Sequence, residues 1–340
     1  MKAANKLLRF IHTKGSSLSP LLILTHDHPD PDSLASAFAL QYLLKSECHV
    51  RSKIAYSGII GRAENKAMVE TLQLPVSELK GSDFSEYPHI ALVDTQPSFE
   101  NNSRPKDRDV SLVVDHHQSQ IKRRTYSEII DAQCGATSVI IAQAFLKLGK
   151  EIPKAIATAL AYGIISETRN FGRESGRLEI KTYLSVLPKA DLNALAHIQN
   201  PKLPREFYTI LNKTIRDAFF FKGLIGVHLG FIKSQDAVSQ MADFLLTYEK
   251  AEWSICTGRY QGRLFVSLRT NQPEAQAGRV LRNVLRERAG GHGTMAGGSI
   301  GFGTESCEKN LKKIEHTITV SLIKQLKINS PVRFQFPFRV

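Results

Sequence analysis

The chain has 340 residues, 42% of them apolar, so two buried cores and hence two domains are expected. Its net charge of +13 favours polyanionic partners such as nucleic acid, nucleotides or an anionic membrane, against the plainer reading of a generally soluble basic protein. Composition argues against other classes: no apolar run nears the roughly 20 residues of a membrane span, no signal peptide is expected, and Cys48, Cys134, Cys256 and Cys307 form no CxxC pair, which suits a reducing cytoplasm rather than a disulfide framework or zinc ribbon.

In chain order, the run 21–24 predicts a buried strand that ends at Thr25-His26. Asp27-His28-Pro29-Asp30-Pro31-Asp32-Ser33 follows, with Ser33 able to cap a helix through Leu34, Phe38, Leu40 and Leu43. Further β-like runs lie near 50–55, at 90–93 leading into Asp94, and at 112–114 leading into Asp115-His116-His117. Helices are expected over 64–72, 137–148 and 154–164. This βαβ rhythm predicts an α/β fold, with a mostly parallel sheet flanked by helices over 1–190. Residues 191–222 read as an amphipathic helical connector interrupted by Pro201 and Pro204. Residues 223–340 read as a smaller mixed α/β domain, with strands over 226–232, 253–257 and 263–269 and helices over 237–248 and 275–288. Trp253 is expected in its core, and the Phe- and Arg-rich tail as an edge strand or a disordered end.

Three strands that each end in His or Asp point to a metal site, because ligands of open α/β sheets bind at the carboxyl edge of the strands. Divalent ions used in phosphoryl chemistry prefer carboxylate oxygen and imidazole nitrogen, and a bridging carboxylate can hold two ions about 3.5–4 Å apart. Any one Asp after a strand is more often a cap or a loop residue; the set together is not. In the second domain, Gly290-Gly291-His292 offers backbone N–H groups without Cβ obstruction plus an imidazole, which suits a phosphate or sugar. A tight glycine turn is the plainer alternative. Arg279, Arg282 and Arg286 share one helix face, either a basic track or an ordinary solvated surface, and Lys122-Arg123-Arg124 is equally a phosphate contact or a loop.

Together these motifs resemble the DHH phosphoesterase superfamily. His26-x-x-x-Asp30-x-Asp32-Ser33 is similar to its first motif, Asp94 to its second and Asp115-His116-His117 to its third. Tyr162-Gly163-Ile164-Ile165-Ser166-Glu167-Thr168 is similar to the fourth, where most relatives carry Asp-Thr. The run 263–269 and 290–298 resemble the DHH-associated C-terminal domain, so the likeness spans nearly the whole chain.

The resemblance implies that His26 and Asp30 bind a first ion, that Asp94 bridges, and that Asp32, His116 and Glu167 complete a second. The implied cofactors are two divalent ions, Mn2+ or else Mg2+. Asp115 would orient its neighbours and His117 would face the phosphate and assist the leaving group; Arg269, Gly290, Gly291 and His292 would hold the nucleotide. Glu167 in place of Asp leaves two readings open, a ligand reached by a backbone shift or a partner of Arg169 or Arg173. The implied activity is hydrolysis of short oligonucleotides, linear dinucleotides or 3′-phosphoadenosine 5′-phosphate by a water that two metals activate, most like the oligoribonuclease/pAp phosphatase type. A RecJ-type single-strand exonuclease is the first alternative. A nucleotide- or RNA-binding protein weakened in catalysis by Glu167 is the second. Short RNA, DNA or a nucleotide is the implied partner, with a membrane excluded, a homodimer allowed and a cytoplasmic location.

Overall fold

The computed structural model describes residues 2–118, 127–172, 175–272, 274–302, 308–328 and 331–339, without the side chains of Glu287 and His292. The expectations for Lys122-Arg123-Arg124, Arg173, Cys307 and the His292 imidazole lie outside the described residues. The chain divides into two units, Met1–Lys202 and Leu203–Val340.

The first unit runs α1 (Lys2–Lys14), β1 (Leu21–Leu24), α2 (Pro31–Cys48), β2 (Ser52–Tyr56), α3 (Ala63–Leu72), β3 (Val76–Glu78), α4 (Asp83–Glu86), β4 (His89–Val93), β5 (Leu112–Asp115), β6 (Ser127–Ile130), α5 (Thr137–Leu148), α6 (Lys154–Glu167), α7 (Arg177–Val186) and α8 (Leu192–Gln199). The strand order is β3-β2-β1-β4-β5-β6 and every pair is parallel. Along β1, Leu21 and Ile23 join the core that holds α1, α2, α5 and α6, while Leu22 and Leu24 join a second core with Ala55, Ile90 and Val113. Side chains alternate across a strand, so a sheet buried on both faces needs an unbroken apolar run, which is what the strands at 21–24, 90–93 and 112–114 show.

The order reverses between β1 and β4, the position where an open sheet forms a crevice at its carboxyl edge. The His and Asp residues leave the sheet there. Helix α2 starts one turn earlier than expected. Asp30, not Ser33, is the N-cap: its carboxylate accepts the Ser33 N–H at 2.9 Å, and Pro31 takes the first helical position, where its missing N–H costs nothing.

The second unit runs α9 (Arg205–Asp217), β7 (Phe219–Phe221), β8 (Leu224–Phe231), α10 (Asp236–Leu245), β9 (Trp253–Tyr260), β10 (Arg263–Thr270), α11 (Ala277–Leu285), β11 (Ala289–His292), β12 (Met295–Gly301) and α12 (Glu308–Gln325). Its sheet, β11-β12-β10-β9-β8-β7, is mixed: β8 and β9 are parallel and the other pairs antiparallel. One face packs Leu264, Val266 and Leu268 with α11 and α12; the other packs Ile225, Val227 and Cys256 with α10. Trp253 is buried in the first of these cores. The tail pairs Gln335 with Phe220, so it extends the sheet edge. The expected connector falls on both sides of the unit boundary, α8 in the first unit and α9 in the second. No helix among the described residues is long and apolar enough to cross a membrane.

Gly290 and Gly291 belong to strand β11 rather than to a turn. A Cβ on Gly278 of α11 would lie 2.0 Å from the Gly291 carbonyl oxygen, and Gly291 itself has φ +137°. Glycine at both positions lets α11 sit directly on the backbone of β11. Gly278→Ala is therefore expected to destabilise the second unit by about 1–3 kcal/mol. Trp253 is the chain's sole Trp, so its fluorescence in a urea titration reports this unit. An unchanged midpoint would refute the packing argument.

Candidate metal centre

Four strand-end groups converge at the switch point. His26 follows β1, Asp94 follows β4 and His116 follows β5, while Asp30 caps α2. Asp94 is buried and sits at φ +60°, a left-handed conformation that Asp tolerates better than most residues. This turn brings its carboxylate back under the strand ends. His26 Nε2 lies 3.6 Å from Asp30 Oδ1 and 3.7 Å from Asp94 Oδ2. His116 Nε2 lies 3.6 Å from Asp94 Oδ1. The two imidazoles thus face the two oxygens of one carboxylate.

The far side of each ring is anchored. His26 Nδ1 is 2.9 Å from the Asp27 carbonyl and His116 Nδ1 is 3.1 Å from the Cys134 carbonyl. A carbonyl only accepts, so Nδ1 donates in both rings and Nε2 is the nitrogen left facing Asp94. This is the orientation required of metal-binding histidine. The Nε2–O separations are too long for hydrogen bonds and match two donors on one cation at roughly 2.1 Å each.

Electrostatics agree. Burial, together with the charges of Asp32 and Asp30, pushes the Asp94 carboxyl well above the usual carboxylate range. Burial and the Asp30 charge push Asp32 up to about 7. Burial alone would depress His26, but the adjoining Asp30 carboxylate and the charge of Asp94 outweigh it and hold the imidazole up at about 10. The cluster thus neutralises itself with protons, which a divalent cation at the same point would replace. The donor set of carboxylate and imidazole suits such a cation.

Asp32 is placed differently from the other expected ligands. Its carboxylate accepts the N–H groups of Thr137 at 2.7 Å and Ser138 at 2.8 Å, the first turn of α5. Ala136 offers α5 no side-chain cap, and Asp32 supplies that anion from another part of the chain. Thr137 Oγ1 also donates to Asp94 Oδ1 at 2.8 Å. Glu167 ends α6, half-buried, and lies outside the two groups whose donor atoms fall within 4.8 Å of one another, His26-Asp30-Asp94 and Asp94-His116-His117.

His117 belongs to the second group by proximity, yet its Nδ1 is 2.8 Å from Asp115 Oδ1 and 3.8 Å from Asp94. A nitrogen bonded to Asp115 is not offered to a cation, which leaves Nε2 as the remaining nitrogen of the His117 ring. Asp115 is fully buried and organises the turn, accepting from the His116 N–H at 2.8 Å, the His117 N–H at 3.2 Å and Gln96 Nε2 at 2.6 Å. Gln96, Thr137 and the Cys134 carbonyl were not read from the sequence. Gln96 follows Asp94 by two residues, which was the one available signal.

In the second unit, Arg269 is 8% exposed. Its Nε donates to Asp243 of α10 at 2.9 Å, and its Nη1 to the carbonyls of Leu268 and Ala296, each at 3.1 Å. Gly290 is open: a Cβ there meets nothing within 4 Å.

Residues 20–164 match the DHH family, N-terminal domain. An uncharacterized protein of Methanocaldococcus jannaschii is 31% identical over 334 residues, covering 96% of this chain and 68% of that protein. The chain belongs to the DHH family. A probable manganese-dependent inorganic pyrophosphatase of Streptococcus pyogenes is 27% identical over 159 residues, 44% of this chain and 49% of that enzyme, so the match spans about half its length. Among solved structures, an exopolyphosphatase-related protein from Bacteroides fragilis superposes with a TM-score of 0.74 at 15% identity, covering 96% of this chain and 98% of that one. At that identity the likeness concerns the fold alone.

Proposed function

We propose that the chain is a divalent-cation-dependent hydrolase of phosphate esters, with short oligonucleotides, linear dinucleotides or 3′-phosphoadenosine 5′-phosphate as substrates. One observation carries this reading: Asp94 stands between two imidazoles, each anchored through Nδ1 and each turning Nε2 to one of its oxygens. His26, Asp30 and Asp94 would hold one cation; Asp94 and His116, with Asp32 and Glu167 behind them, a second. Divalent cations so placed activate water and offset charge on a phosphoryl group. The manganese-dependent relative supports manganese as the metal. The substrate class draws on charge, since residues 203–340 carry 20 Lys and Arg against 11 Asp and Glu.

The residues' own parts follow from the hydrogen bonds. Thr137 and Asp32 fix the inner face of the carboxylate cluster. Asp115 holds His117 through Nδ1, which leaves proton transfer to Nε2. His117 is half-buried, with part of its ring open to solvent, the position for a group that meets substrate.

Hydrolysis of a labelled dinucleotide, a long single strand and 3′-phosphoadenosine 5′-phosphate tests the reading, each with manganese, magnesium or chelator. Cleavage of the short substrates with manganese and none with chelator is expected; activity that rises with strand length would favour the exonuclease instead. Release of no product from any of them would overturn the hydrolase. One observation favours binding without turnover, namely that Glu167 lies outside both close groups. In that case nucleotide binds tightly without cleavage, and Glu167→Asp is the variant that restores it.

A further inference from the structure

The segment between β6 and α5 holds the centre with groups that carry no formal charge. The Cys134 carbonyl fixes the His116 ring, the Thr137 and Ser138 amides hold Asp32, and the Thr137 hydroxyl holds Asp94. Such a segment positions three site residues only if its own path is fixed. Gly135, in its middle, donates its N–H at 3.0 Å to Oε1 of Glu179, a residue 3% exposed in the first turn of α7 and 44 positions along the chain. Glu179 Oε2 accepts the Gly176 N–H at 2.7 Å. The Gly176 bond is an ordinary capping interaction of α7. The Gly135 bond is not, because it leaves the helix and ends on the N–H of the same peptide group whose carbonyl, that of Cys134, orients His116.

We propose that Glu179 is a positioning residue for the metal centre. Its carboxylate fixes Gly135, and through it the Cys134 carbonyl and the first turn of α5. These in turn set His116, Asp32 and the Oδ1 side of Asp94. Among the described residues no hydrogen bond from this segment reaches His26, Asp30 or Oδ2 of Asp94, so Glu179 acts on one of the two cation positions. The inference rests on the metal-site reading above.

Glu179→Gln keeps the shape but turns an NH2 group toward one of the two N–H donors. Glu179→Asp keeps the charge and falls short of Gly135. Thr182→Val is the control: Thr182 ties α7 to Gln143 of α5 at 2.6 Å and does not touch the segment. Manganese titration by calorimetry or electron paramagnetic resonance is expected to show about tenfold to a hundredfold weaker binding in both Glu179 variants, the range typical when a partner that orients a ligand is lost. Thr182→Val is expected to bind as the wild type does. Nitrogen-15 spectra of the imidazoles in metal-free protein supply a readout that needs no ion: His116 is expected to hold one tautomer in the wild type and in Thr182→Val, and to lose it in the Glu179 variants. Unchanged affinity and an unchanged His116 spectrum in both Glu179 variants would overturn the proposal, as would equal weakening by Thr182→Val. If the wild type bound no cation, the metal-site reading would fall, and the His116 spectrum would still decide whether Glu179 positions the ring.

Discussion

Asp94→Asn is expected to abolish manganese binding and hydrolysis together while making the metal-free protein more stable. Asparagine keeps the size of the side chain and an oxygen that can accept from Thr137 Oγ1. It loses the charge, and its NH2 group necessarily faces one of the two histidines. Both proposed cation positions share this carboxylate, so neither should survive. A loss of about 4 kcal/mol of charge stabilisation corresponds to roughly a thousandfold in rate. The stability effect has the opposite sign for a physical reason. Burial, Asp32 and Asp30 raise the Asp94 carboxyl above its unfolded value, so the native state binds this proton more tightly than the unfolded state does. Such a group costs stability once the pH exceeds the unfolded carboxylate value, and Asn removes that cost. The gain at neutral pH should therefore shrink as the pH falls and Asp94 takes up its proton. Thermal unfolding in chelator, repeated with manganese, checks both halves. A variant less stable than the wild type in chelator, or one that manganese still stabilises, would refute the assignment.

The frame of this site was legible because strand ends announce themselves in sequence. A strand buried on both faces is apolar along its length, so the change from Leu24 to His26, from Val93 to Asp94 and from Val114 through Asp115 to His116 marks where the chain leaves the sheet. Once the order β2-β1-β4-β5 is fixed, those ends fall side by side. The contacts that tune the site were not legible. The partner of His116 is a backbone carbonyl, which has no residue signature. Asp32 meets amides of Thr137 and Ser138 more than a hundred positions away, and their side-chain identity plays no part in donating those N–H groups. Ser33 was read as the cap of α2 because Ser is a good N-cap, but Pro31 fixes the first helical position and makes Asp30 the cap. In the second unit Gly290 and Gly291 read from sequence as a phosphate- or sugar-facing backbone or else a tight turn, whereas their packing against Gly278 depends on a helix position that local sequence does not encode.

His117→Ala is expected to lower kcat by about 10²–10⁴ while leaving manganese affinity and KM nearly unchanged. Burial opposes the charge on this ring, but the hydrogen bond and charge of Asp115, the charge of Asp94 and then that of Glu167 outweigh it and hold the imidazole up at about 10. It is therefore protonated at neutral pH. Neutralising Asp94 removes one of those charges and brings the ring back toward its ordinary value, where it gives up a proton more readily. With Nδ1 committed to Asp115, the proton to be given is the one on Nε2. A group that protonates a departing oxygen matters only when that oxygen is a poor leaving group. The variant should thus fail on nucleoside esters and stay close to the wild type on p-nitrophenyl phosphate esters, whose phenolate leaves unaided. His116→Ala provides the contrast, because His116 presents Nε2 to Asp94 and its loss should weaken manganese binding directly. Equal losses on both leaving groups, or manganese affinity that falls in His117→Ala as it does in His116→Ala, would make His117 a ligand rather than an acid.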